Sequence, residues 1–272
     1  MAQRRRLDAE LVRRNLARSR EHASELVQAG RVSVAGSVAT KPATQVDPAV
    51  AIVLAAAGDD APDYASRGGH KLAGALDHFA ADGGLDVAGR RALDAGASTG
   101  GFTDVLLRRG VAHVVAVDVG YGQLAWHLRQ DPRVTVLERT NIRHLEPGQV
   151  APPPDLVVAD LSFISLRTVL PVLAACTRPG GELLPMVKPQ FEVGRGRLGS
   201  GGVVRDPELR RAALGDVATA ARDLGLVLRD AVASPLPGPS GNVEFFLRLV
   251  RDPRAVDAGD AVLDRAVAEG PR

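Results

Sequence analysis

The chain contains a single cysteine, Cys176, among 272 residues. One cysteine excludes an intrachain disulfide and fits a protein of the reducing cytosol. No apolar run approaches the roughly 18 residues that a membrane-spanning helix needs, and no apolar stretch of a secretory signal follows the opening MAQRRRLDAE. We therefore expect a cytoplasmic protein without a membrane partner.

Aromatic residues make up only 3% of the chain, so the apolar 45% must build its core chiefly from alanine, valine and leucine. Lysine is also scarce, because Lys41, Lys71 and Lys188 are the three lysines among 34 basic residues. Lysine can lose its proton near neutral pH when it is buried, whereas arginine cannot. A retained lysine is therefore a candidate for proton transfer, although chance would also explain the count.

Positive charge is concentrated at the start of the chain. Residues 1–42 carry nine basic and four acidic residues, whereas the remainder carries 25 basic and 28 acidic ones. A basic segment ahead of an acidic body is typical of a protein that binds a polyanion. A solvated helix surface would give the same count.

The basic segment predicts a small α+β domain. Leucines spaced along residues 6–20 predict an amphipathic helix, and residues 22–30, with Ser19 or Ser24 as the cap, predict a second helix. Alternating valines around an Ala-Gly turn predict a hairpin over 32–38.

The same segment carries RLD, an SR pair, ASELVQAGRVSVAG and a following K-P, and it resembles the S4-type RNA-binding domain. The resemblance implies a basic face that binds folded RNA through its phosphates and shape. We assign residues 1–58 to this domain and 59–65, in a small, acidic, proline-containing stretch, to a linker. The expected RNA-binding residues are Arg4, Arg5, Arg6, Arg13, Arg14, Arg18, Arg20, Arg31, Lys41 and Arg67.

From residue 66 onward, apolar strand patterns alternate with helical ones. This alternation predicts an α/β fold with a mostly parallel sheet of seven strands. The final strand should be antiparallel, because no helix separates it from the strand before it. The strands are expected at 92–95, 114–118, 134–137, 156–160, 182–187, 226–234 and 244–250, with helices including 72–81 and 207–224. We assign residues 66–252 to this domain and 253–272 to a charged tail.

The stretch RALDAGASTGGFTD, residues 91–104, predicts a strand, a glycine loop and a helix. Glycines allow close approach of the backbone to a ligand, and a helix start offers free amide hydrogens, so the loop predicts a nucleotide-like cofactor. Asp118 lies 22 residues after Gly96 at the end of the second strand, where an acid accepts hydrogen bonds from ribose hydroxyls. A dehydrogenase would share this geometry, and an acid without a ligand also fits the position.

The loop GASTGG differs from GxGxxG, and together with the antiparallel final strand it resembles class I (Rossmann-like) methyltransferases. It looks like the S-adenosylmethionine loop of RNA ribose methyltransferases, which implies that cofactor and no metal. In that family the position of Asn141 holds the adenine, although Asn141 also fits an ordinary helix cap. The cofactor-binding residues implied are Asp94, Gly96, Ala97, Ser98, Thr99, Gly100, Gly101, Phe102, Asp118, Val119, Asn141 and Asp160.

Four charged residues stand at strand ends or shortly before the first strand, and they are Lys71, Asp160, Lys188 and Glu244. Methyl transfer to a ribose 2′-hydroxyl needs in-line attack and removal of the hydroxyl proton. A buried lysine beside a second cation can accept or position that proton, while the acids orient the lysines. Each residue alone fits a plainer role as a surface lysine, a helix cap or the partner of an arginine. The four together favour catalysis.

This order of Lys, Asp, Lys and Glu resembles the catalytic tetrad of FtsJ/RrmJ-like 2′-O-ribose methyltransferases. With SRGGHKL, VVADLSFISL, VKPQFE and GNVEFF, residues 5–250 resemble the TlyA family, often labelled haemolysin A. The resemblance implies methylation of cytidine riboses in 23S, and in some members also 16S, ribosomal RNA. Ribosomal RNA and ribosomal subunits are then the expected partners, and a monomer is favoured.

Several points stay open at this stage. Ser162 and Phe163 are candidates for contact with the target nucleotide, and the glycine-rich, basic loop at 191–206 is either a closing element or merely flexible. The family label suggests a membrane-acting cytolysin as an alternative function. A non-catalytic ribosome-assembly factor that binds RNA is another, and a nicotinamide enzyme is disfavoured by GASTGG.

Overall fold

The computed structural model describes residues 4–14, 16, 17, 19–54, 63–81 and 84–270. The chain divides into two compact units, Met1–Asp63 and Tyr64–Arg272. Tyr64 and Ala65 are buried in the core of the second unit, so the predicted end of the linker at residue 65 is wrong. Most of the predicted linker and the predicted RNA contact Arg18 lie outside the described residues.

The described residues of the first unit form two helices and five short strands. A core of aliphatic side chains, including Leu7, Leu11 and Val32, fills the space between them. The elements are β1 (Arg5–Arg6), α1 (Leu7–Arg13), α2 (Arg20–Gln28), β2 (Val32–Val34), β3 (Ser37–Val38), β4 (Gln45–Val46) and β5 (Ile52–Leu54). Strands β1 and β4 form an antiparallel pair, and β3, β2 and β5 form an antiparallel sheet in that order. The predicted hairpin over 32–38 is confirmed.

The predicted helix over 6–20 is too long, because α1 ends at Arg13. The Arg14 guanidinium donates to the backbone oxygens of Pro48 at 2.7 Å and Val50 at 2.8 Å, which are contacts with a distant part of the chain. Periodicity within residues 6–20 carries no information about such contacts.

Ser19, one of the two proposed caps, starts the second helix. Its Oγ accepts a hydrogen bond from the backbone N–H of His22 at 3.1 Å, which satisfies a free amide of the first turn. The other proposed cap, Ser24, lies inside α2 and donates to the carbonyl oxygen of Arg20.

The second unit alternates strands and helices as predicted. Predicted strands and observed strands differ by one residue at most at each end. The elements are α3 (Arg67–Ala80), β6 (Arg91–Ala95), α4 (Gly101–Arg108), β7 (His113–Val117), α5 (Trp126–Arg129), β8 (Val134–Leu137), β9 (Leu156–Ala159), α6 (Leu166–Cys176), β10 (Glu182–Val187), α7 (Pro189–Glu192), α8 (Pro207–Asp223), β11 (Val227–Ala233), β12 (Phe245–Val250) and α9 (Ala261–Glu269).

Seven strands form one sheet in the order β11, β12, β10, β9, β6, β7, β8. Strand β12 is antiparallel to both of its neighbours, and the ladders from β10 to β8 are parallel. Buried side chains of α6, α8 and α9 pack on one face, and those of α3 and α4 pack on the other. The prediction of a doubly covered, mostly parallel sheet with an antiparallel last strand is confirmed.

The register of the sheet brings the candidate residues to one edge. Ala95 of β6 pairs with Val117 of β7 and with Ala159 of β9, so the next residues along all three strands emerge side by side. Val187 of β10 pairs with Phe245 of β12, so Lys188 and Glu244 also come out together. Carboxyl ends of parallel strands are the usual place for ligands in such sheets.

The predicted charged tail at 253–272 is wrong as a separate segment. Leu263 and Ala266 of α9 are buried against the sheet, and Arg222 of α8 pairs with Asp257 and Asp260. The apolar stripe of α9 is short and lies among charged residues, so the sequence pattern did not predict this packing. In the part of the chain that the structure describes, helices are too short or too polar to cross a bilayer.

Candidate active site

The glycine loop follows β6 and ends at the first turn of α4. Gly96 has a φ of +87°, and a Cβ there would lie 2.5 Å from the carbonyl oxygen of Asp160. Gly100 has a φ of +98°, and a Cβ there would lie 2.8 Å from the Leu124 side chain. A residue with a side chain would be strained and would collide at both places. Glycine therefore lets the loop pack closely against the segments that follow β9 and β7.

Asp94 lies directly beneath this loop. The carboxyl is fully buried, its Oδ2 accepts a hydrogen bond from the Thr103 hydroxyl at 2.7 Å, and its Oδ1 has no partner among the described residues. Burial raises the pKa of Asp94 to about 7; the Thr103 hydroxyl and amide oppose the rise, and the charges of Asp160 and Asp118 add to it. A buried oxygen without a partner marks a place where a ligand or a proton belongs.

Asp118 ties the glycine loop to the loop after β7. Its two oxygens accept from the backbone N–H groups of Ser98 at 2.8 Å and Gly120 at 2.7 Å. Ser98 has a φ of +48°, so this bond supports an unusual backbone conformation. Asp118 thus has a bracing role in addition to its expected contact with a ribose, since each carboxylate oxygen has a second lone pair.

A small cleft beside Asp118 opens to solvent. Glu138 lies in its wall and accepts from the backbone N–H of Gly122 at 2.7 Å. Glu138 was not predicted from the sequence. Its position directly after the third strand of the sheet is the feature that could have indicated it. The cleft is lined by Ala97, Ser98, Ala116, Asp118, Gly120, Gln123, Leu124, Val136 and Glu138.

The remaining predicted cofactor residues differ in placement. Asn141 is exposed, and its side chain accepts from the Arg143 amide as the cap of a short 3₁₀-helix, which is the plainer of its two roles. Val119 is exposed beside the cleft. The Phe102 side chain is buried against Phe246, which leaves its backbone amide in the first turn of α4 for the predicted cofactor contact. The Phe102 ring is part of the hydrophobic core between the sheet and the helices α3 and α4.

The four predicted catalytic residues form two ion pairs. Lys71 Nζ lies 2.5 Å from Glu244 Oε2, and Lys188 Nζ lies 2.5 Å from Asp160 Oδ1. Lys71, Lys188 and Glu244 are buried, with 6%, 8% and 1% exposure. The acids therefore hold the lysines, as expected, but each lysine has its own carboxylate. Glu244 pairs with Lys71 and not with an arginine, which was the plainer role considered for it.

Ser162 adds a second contact at Lys188. Its Oγ accepts from Lys188 Nζ at 2.9 Å, and its contact with the target nucleotide stays a prediction. Phe163 has a φ of +64° and is 92% exposed, with its ring 5.4 Å from that of Phe191. Phe191, which the sequence analysis missed, lies three residues after Lys188.

Two buried polar side chains join the segments around the site. Glu192 accepts from the Ser165 hydroxyl at 2.6 Å and from the Leu166 amide at 2.7 Å, which fixes the start of α6 against α7. Asn242 accepts from the Val204 amide at 2.8 Å and donates to the Gly202 oxygen at 3.1 Å. The 191–206 loop is therefore fastened near Glu244 at its far end and is not merely flexible.

The basic face of the first unit is built on two buried acids. Asp8 accepts from Arg6 and Arg20, and these bonds hold its pKa at about 2 against the effect of burial. Glu10 pairs with Arg13 and Arg14, whose bonds likewise hold its pKa at about 2.

Not all of the predicted RNA contacts face solvent. Arg4, Arg5, Arg6, Arg13, Arg20 and Lys41 are exposed. Arg31 is half-buried, and so is Arg67, which begins α3 in the second unit. The Arg14 guanidinium donates to Glu10, Pro48 and Val50 within the same unit, so its predicted role in RNA binding is wrong.

Within the described residues, no cluster of three or more His, Cys, Asp or Glu side chains could hold a metal ion.

Two family models match the chain. Residues 64–251 match the FtsJ-like methyltransferase model, and residues 5–52 match the S4 domain model. The two matches follow the division of the structure into two units.

Curated relatives match over long stretches. A 16S/23S rRNA (cytidine-2′-O)-methyltransferase TlyA from Mycobacterium tuberculosis is 58% identical over the full length of both chains. A protein named Hemolysin A from Brachyspira hyodysenteriae is 33% identical over 90% of this chain and 99% of its own. Among solved structures, a protein from Streptococcus thermophilus named as a candidate hemolysin superposes with a TM-score of 0.77 at 37% identity, covering 99% of this chain and 96% of that one.

Proposed function

The chain belongs to the FtsJ-like methyltransferase family and, within it, to the TlyA family with a leading S4 domain, and we propose that it methylates the 2′-hydroxyl of cytidine in ribosomal RNA. The observation that carries this proposal is the arrangement of two buried ion pairs, Lys71 with Glu244 and Lys188 with Asp160, at the sheet edge that also holds the glycine loop. The proposed substrate places the enzyme with ribosomes in the cytoplasm.

The residues around the glycine loop fit S-adenosylmethionine. A Cβ at Gly96 or Gly100 would collide with the neighbouring segments, so glycine is needed for the shape of the loop. Below the loop, the Oδ1 atom of Asp94 is buried and has no partner among the described residues. The small cleft beside Asp118 places a carboxylate acceptor where a ribose hydroxyl of the cofactor is expected. When bound, the cofactor supplies an electrophilic methyl group on a sulfonium.

Lys188 is the residue placed to receive the proton of the ribose hydroxyl. Methyl transfer converts the hydroxyl into an ether, and the hydroxyl proton must leave as the new bond forms. Asp160 and Ser162 hold the Lys188 amine from two sides, at 2.5 Å and 2.9 Å, and thereby fix its direction. Proton transfer to the amine leaves an ammonium that Asp160 stabilises.

Lys71 and Glu244 have a positioning role in this proposal. Glu244 is 1% exposed, and a Cβ at Gly238 would lie 2.6 Å from its Oε1, so the carboxylate is confined from that side as well. A buried carboxylate needs a charged partner, and Lys71 supplies one. The pair fixes the end of β12 next to Lys188.

The first unit supports an RNA substrate. Exposed arginines oriented by Asp8 and Glu10 present guanidinium groups with reduced freedom, which suits the phosphates of a folded RNA. Sequence selection of the cytidine is not explained by these contacts, because phosphates carry no base identity.

Ribose methylation mapping tests the proposal. Purified 30S and 50S subunits from cells that lack the protein are incubated with it and with S-adenosylmethionine labelled in the methyl group. We expect label at a cytidine ribose of 23S RNA, and of 16S RNA if both subunits are substrates. Absence of label in RNA of both subunits would contradict the proposal.

The hemolysin names of two relatives supply a second candidate, lysis of membranes. Dye-loaded vesicles mixed with the purified protein distinguish it from methylation. Retained dye together with labelled RNA supports the methyltransferase alone, whereas released dye would revive the second candidate.

A further inference from the structure

Three carboxyl groups lie at the neighbouring carboxyl ends of the central strands. Asp94 belongs to β6, and Asp118 and Asp160 directly follow β7 and β9, the strands on either side of it. Asp118 is satisfied by two backbone amides and Asp160 by Lys188. Asp94 differs, because one of its oxygens has no partner among the described residues and the whole carboxyl is buried.

The position of Asp94 connects it to both ends of the glycine loop. It precedes Gly96 by two residues, and it is hydrogen-bonded to Thr103, two residues after Gly101. Thr103 is itself fully buried. A change in the charge of Asp94 therefore affects the glycine loop at both ends, where it leaves β6 and where it enters α4.

Ionised Asp94 is disfavoured in the free protein. Burial removes the water that would solvate its charge, and the charged groups that act on it from the neighbouring strands, Asp118 and Asp160, are both acids. The Thr103 hydroxyl supplies one compensating bond. Burial, opposed by Thr103 and reinforced by Asp160 and Asp118, raises the pKa of Asp94 to about 7, so near neutrality the carboxyl retains its proton much of the time.

The cofactor of this family carries two positive charges, a sulfonium and an ammonium, on a small molecule. We propose that Asp94 is a proton-linked binding residue, which carries a proton in the free protein and releases it to solvent when the cationic cofactor binds in the loop above it. The proposal rests on the proposed function, because it takes S-adenosylmethionine as the ligand. Charge balances: a neutral acid and a ligand become a carboxylate beside that ligand, plus one proton in solution.

Proton release makes the affinity depend on pH. Below the pH at which Asp94 ionises by itself, binding must also remove the proton, so the dissociation constant rises up to about tenfold for each pH unit. Between pH 5.5 and 7 the ammonium of the free cofactor stays mostly protonated, because amines of this type titrate near pH 8. A pH dependence in that window therefore comes from the protein.

Titration calorimetry with S-adenosylmethionine tests the proposal in the full-length protein. Binding at pH 6.0 in two buffers of different ionisation enthalpy gives the number of protons released, and dissociation constants are measured at half-unit steps from pH 5.5 to 7. We expect close to one proton per cofactor at pH 6.0 and an affinity about fivefold lower at pH 6 than at pH 7.

Asp94→Asn should remove both the proton release and the pH dependence, since asparagine can still accept from the Thr103 hydroxyl but does not titrate. Thr103→Val should move the midpoint of the affinity curve to higher pH, because it removes a bond that favours the ionised form. Asp86→Asn, at an exposed acid of the same unit, is the matched control and should behave like the wild-type protein.

The outcomes distinguish an error about the role of Asp94 from an error about the proposed function. A dissociation constant that is flat from pH 5.5 to 7 in the wild-type protein, or equal proton release by wild-type and Asp94→Asn, would overturn the role of Asp94 and leave the methyltransferase intact. No binding heat at any pH would instead contradict the proposed function. If Asp94→Asn does not fold, the wild-type pH series and Thr103→Val still decide.

Discussion

Lys188 is surrounded by groups that orient an amine rather than by groups that merely neutralise it. Asp160 and Ser162 contact its Nζ from two side chains on the same segment. The guanidinium of an arginine would supply the charge but would keep its proton and need more room. We therefore propose that proton transfer, and not charge alone, accounts for the lysine at this position.

The Lys188 variants test this at the residue scale. Lys188→Ala and Lys188→Arg should each lower methyl transfer by two to four orders of magnitude, about the contribution of general base catalysis. Cofactor binding, measured by calorimetry, should persist. Arg254→Ala, at a highly exposed cation of the same unit, should retain full transfer. Substantial activity of Lys188→Arg would show that charge alone suffices.

Asp94 also predicts how stability depends on pH. Its folded pKa, about 7, is raised above the unfolded value near 4, so its stabilising contribution is complete below about pH 4 and is lost as pH rises through about 7. The loss is on the order of 4 kcal/mol for a shift of this size. Thermal unfolding of Asp94→Asn in the absence of cofactor should lack this decline, and parallel curves for variant and wild type would contradict it.

The glycine loop is an element whose shape depends on its contacts with its neighbours. Gly96 and Gly89 both have positive φ, at +87° and +71°, yet a Cβ at Gly89 would meet no atom within 4 Å. The two positions separate the cost of backbone conformation from the cost of crowding.

Gly96→Ala and Gly89→Ala form a matched pair. Gly89→Ala should lose about 1–2 kcal/mol of stability from the left-handed conformation, and Gly96→Ala should lose more, because its Cβ also collides with the Asp160 carbonyl oxygen. Gly96→Ala should in addition weaken cofactor binding by at least tenfold, because its methyl group displaces the loop from Asp160. Unfolding curves and calorimetry measure the two effects, and equal cofactor affinity in the two variants would count against the loop as the binding element.

Helix α9 is a second element whose role depends on packing. Leu263 is fully buried in the core formed with α6 and α8. Leu263→Ala should lower the free energy of unfolding of the second unit by about 2–4 kcal/mol through lost contacts and the remaining cavity. Val256→Ala, at a side chain that is 76% exposed, should change it by less than about 0.5 kcal/mol. Similar melting temperatures for both would mean that α9 is dispensable.

At the scale of the whole molecule, charge is divided between two units with different tasks. The first 42 residues carry an excess of basic residues, and the rest of the chain carries a slight excess of acidic ones. Acids beneath the glycine loop suit a cationic donor, whereas exposed arginines suit a polyanionic acceptor. The chain thus separates attraction for the donor from attraction for RNA.

Two arginine variants distinguish the RNA face from its scaffold. Arg5→Ala, at an exposed residue of β1, should weaken binding to a ribosomal RNA fragment and reduce the slope of log affinity against log salt by about 1. Arg14→Ala should instead lower the melting temperature of the first unit, since it breaks bonds to Glu10, Pro48 and Val50. Fluorescence anisotropy and thermal unfolding measure the two, and the reverse pattern would contradict the assignment.

The sequence by itself determined the order of the seven strands in the second unit, the glycine loop and the four residues proposed for catalysis. Periodicity and turn residues are local, so they survive without knowledge of the rest of the chain. The resemblance to known families then supplied the cofactor and the RNA substrate, which local pattern left undecided.

Only the tertiary structure decided which groups meet. Lys71 pairs with Glu244, 173 residues away, and that choice follows from the packing of α3 against the sheet. The same is true of Arg14, which reaches carbonyl oxygens 34 and 36 residues later. Burial of Asp94 between two other acids is likewise a property of three neighbouring strands. Contacts between distant segments depend on packing of the whole sheet, for which no local pattern carries the information.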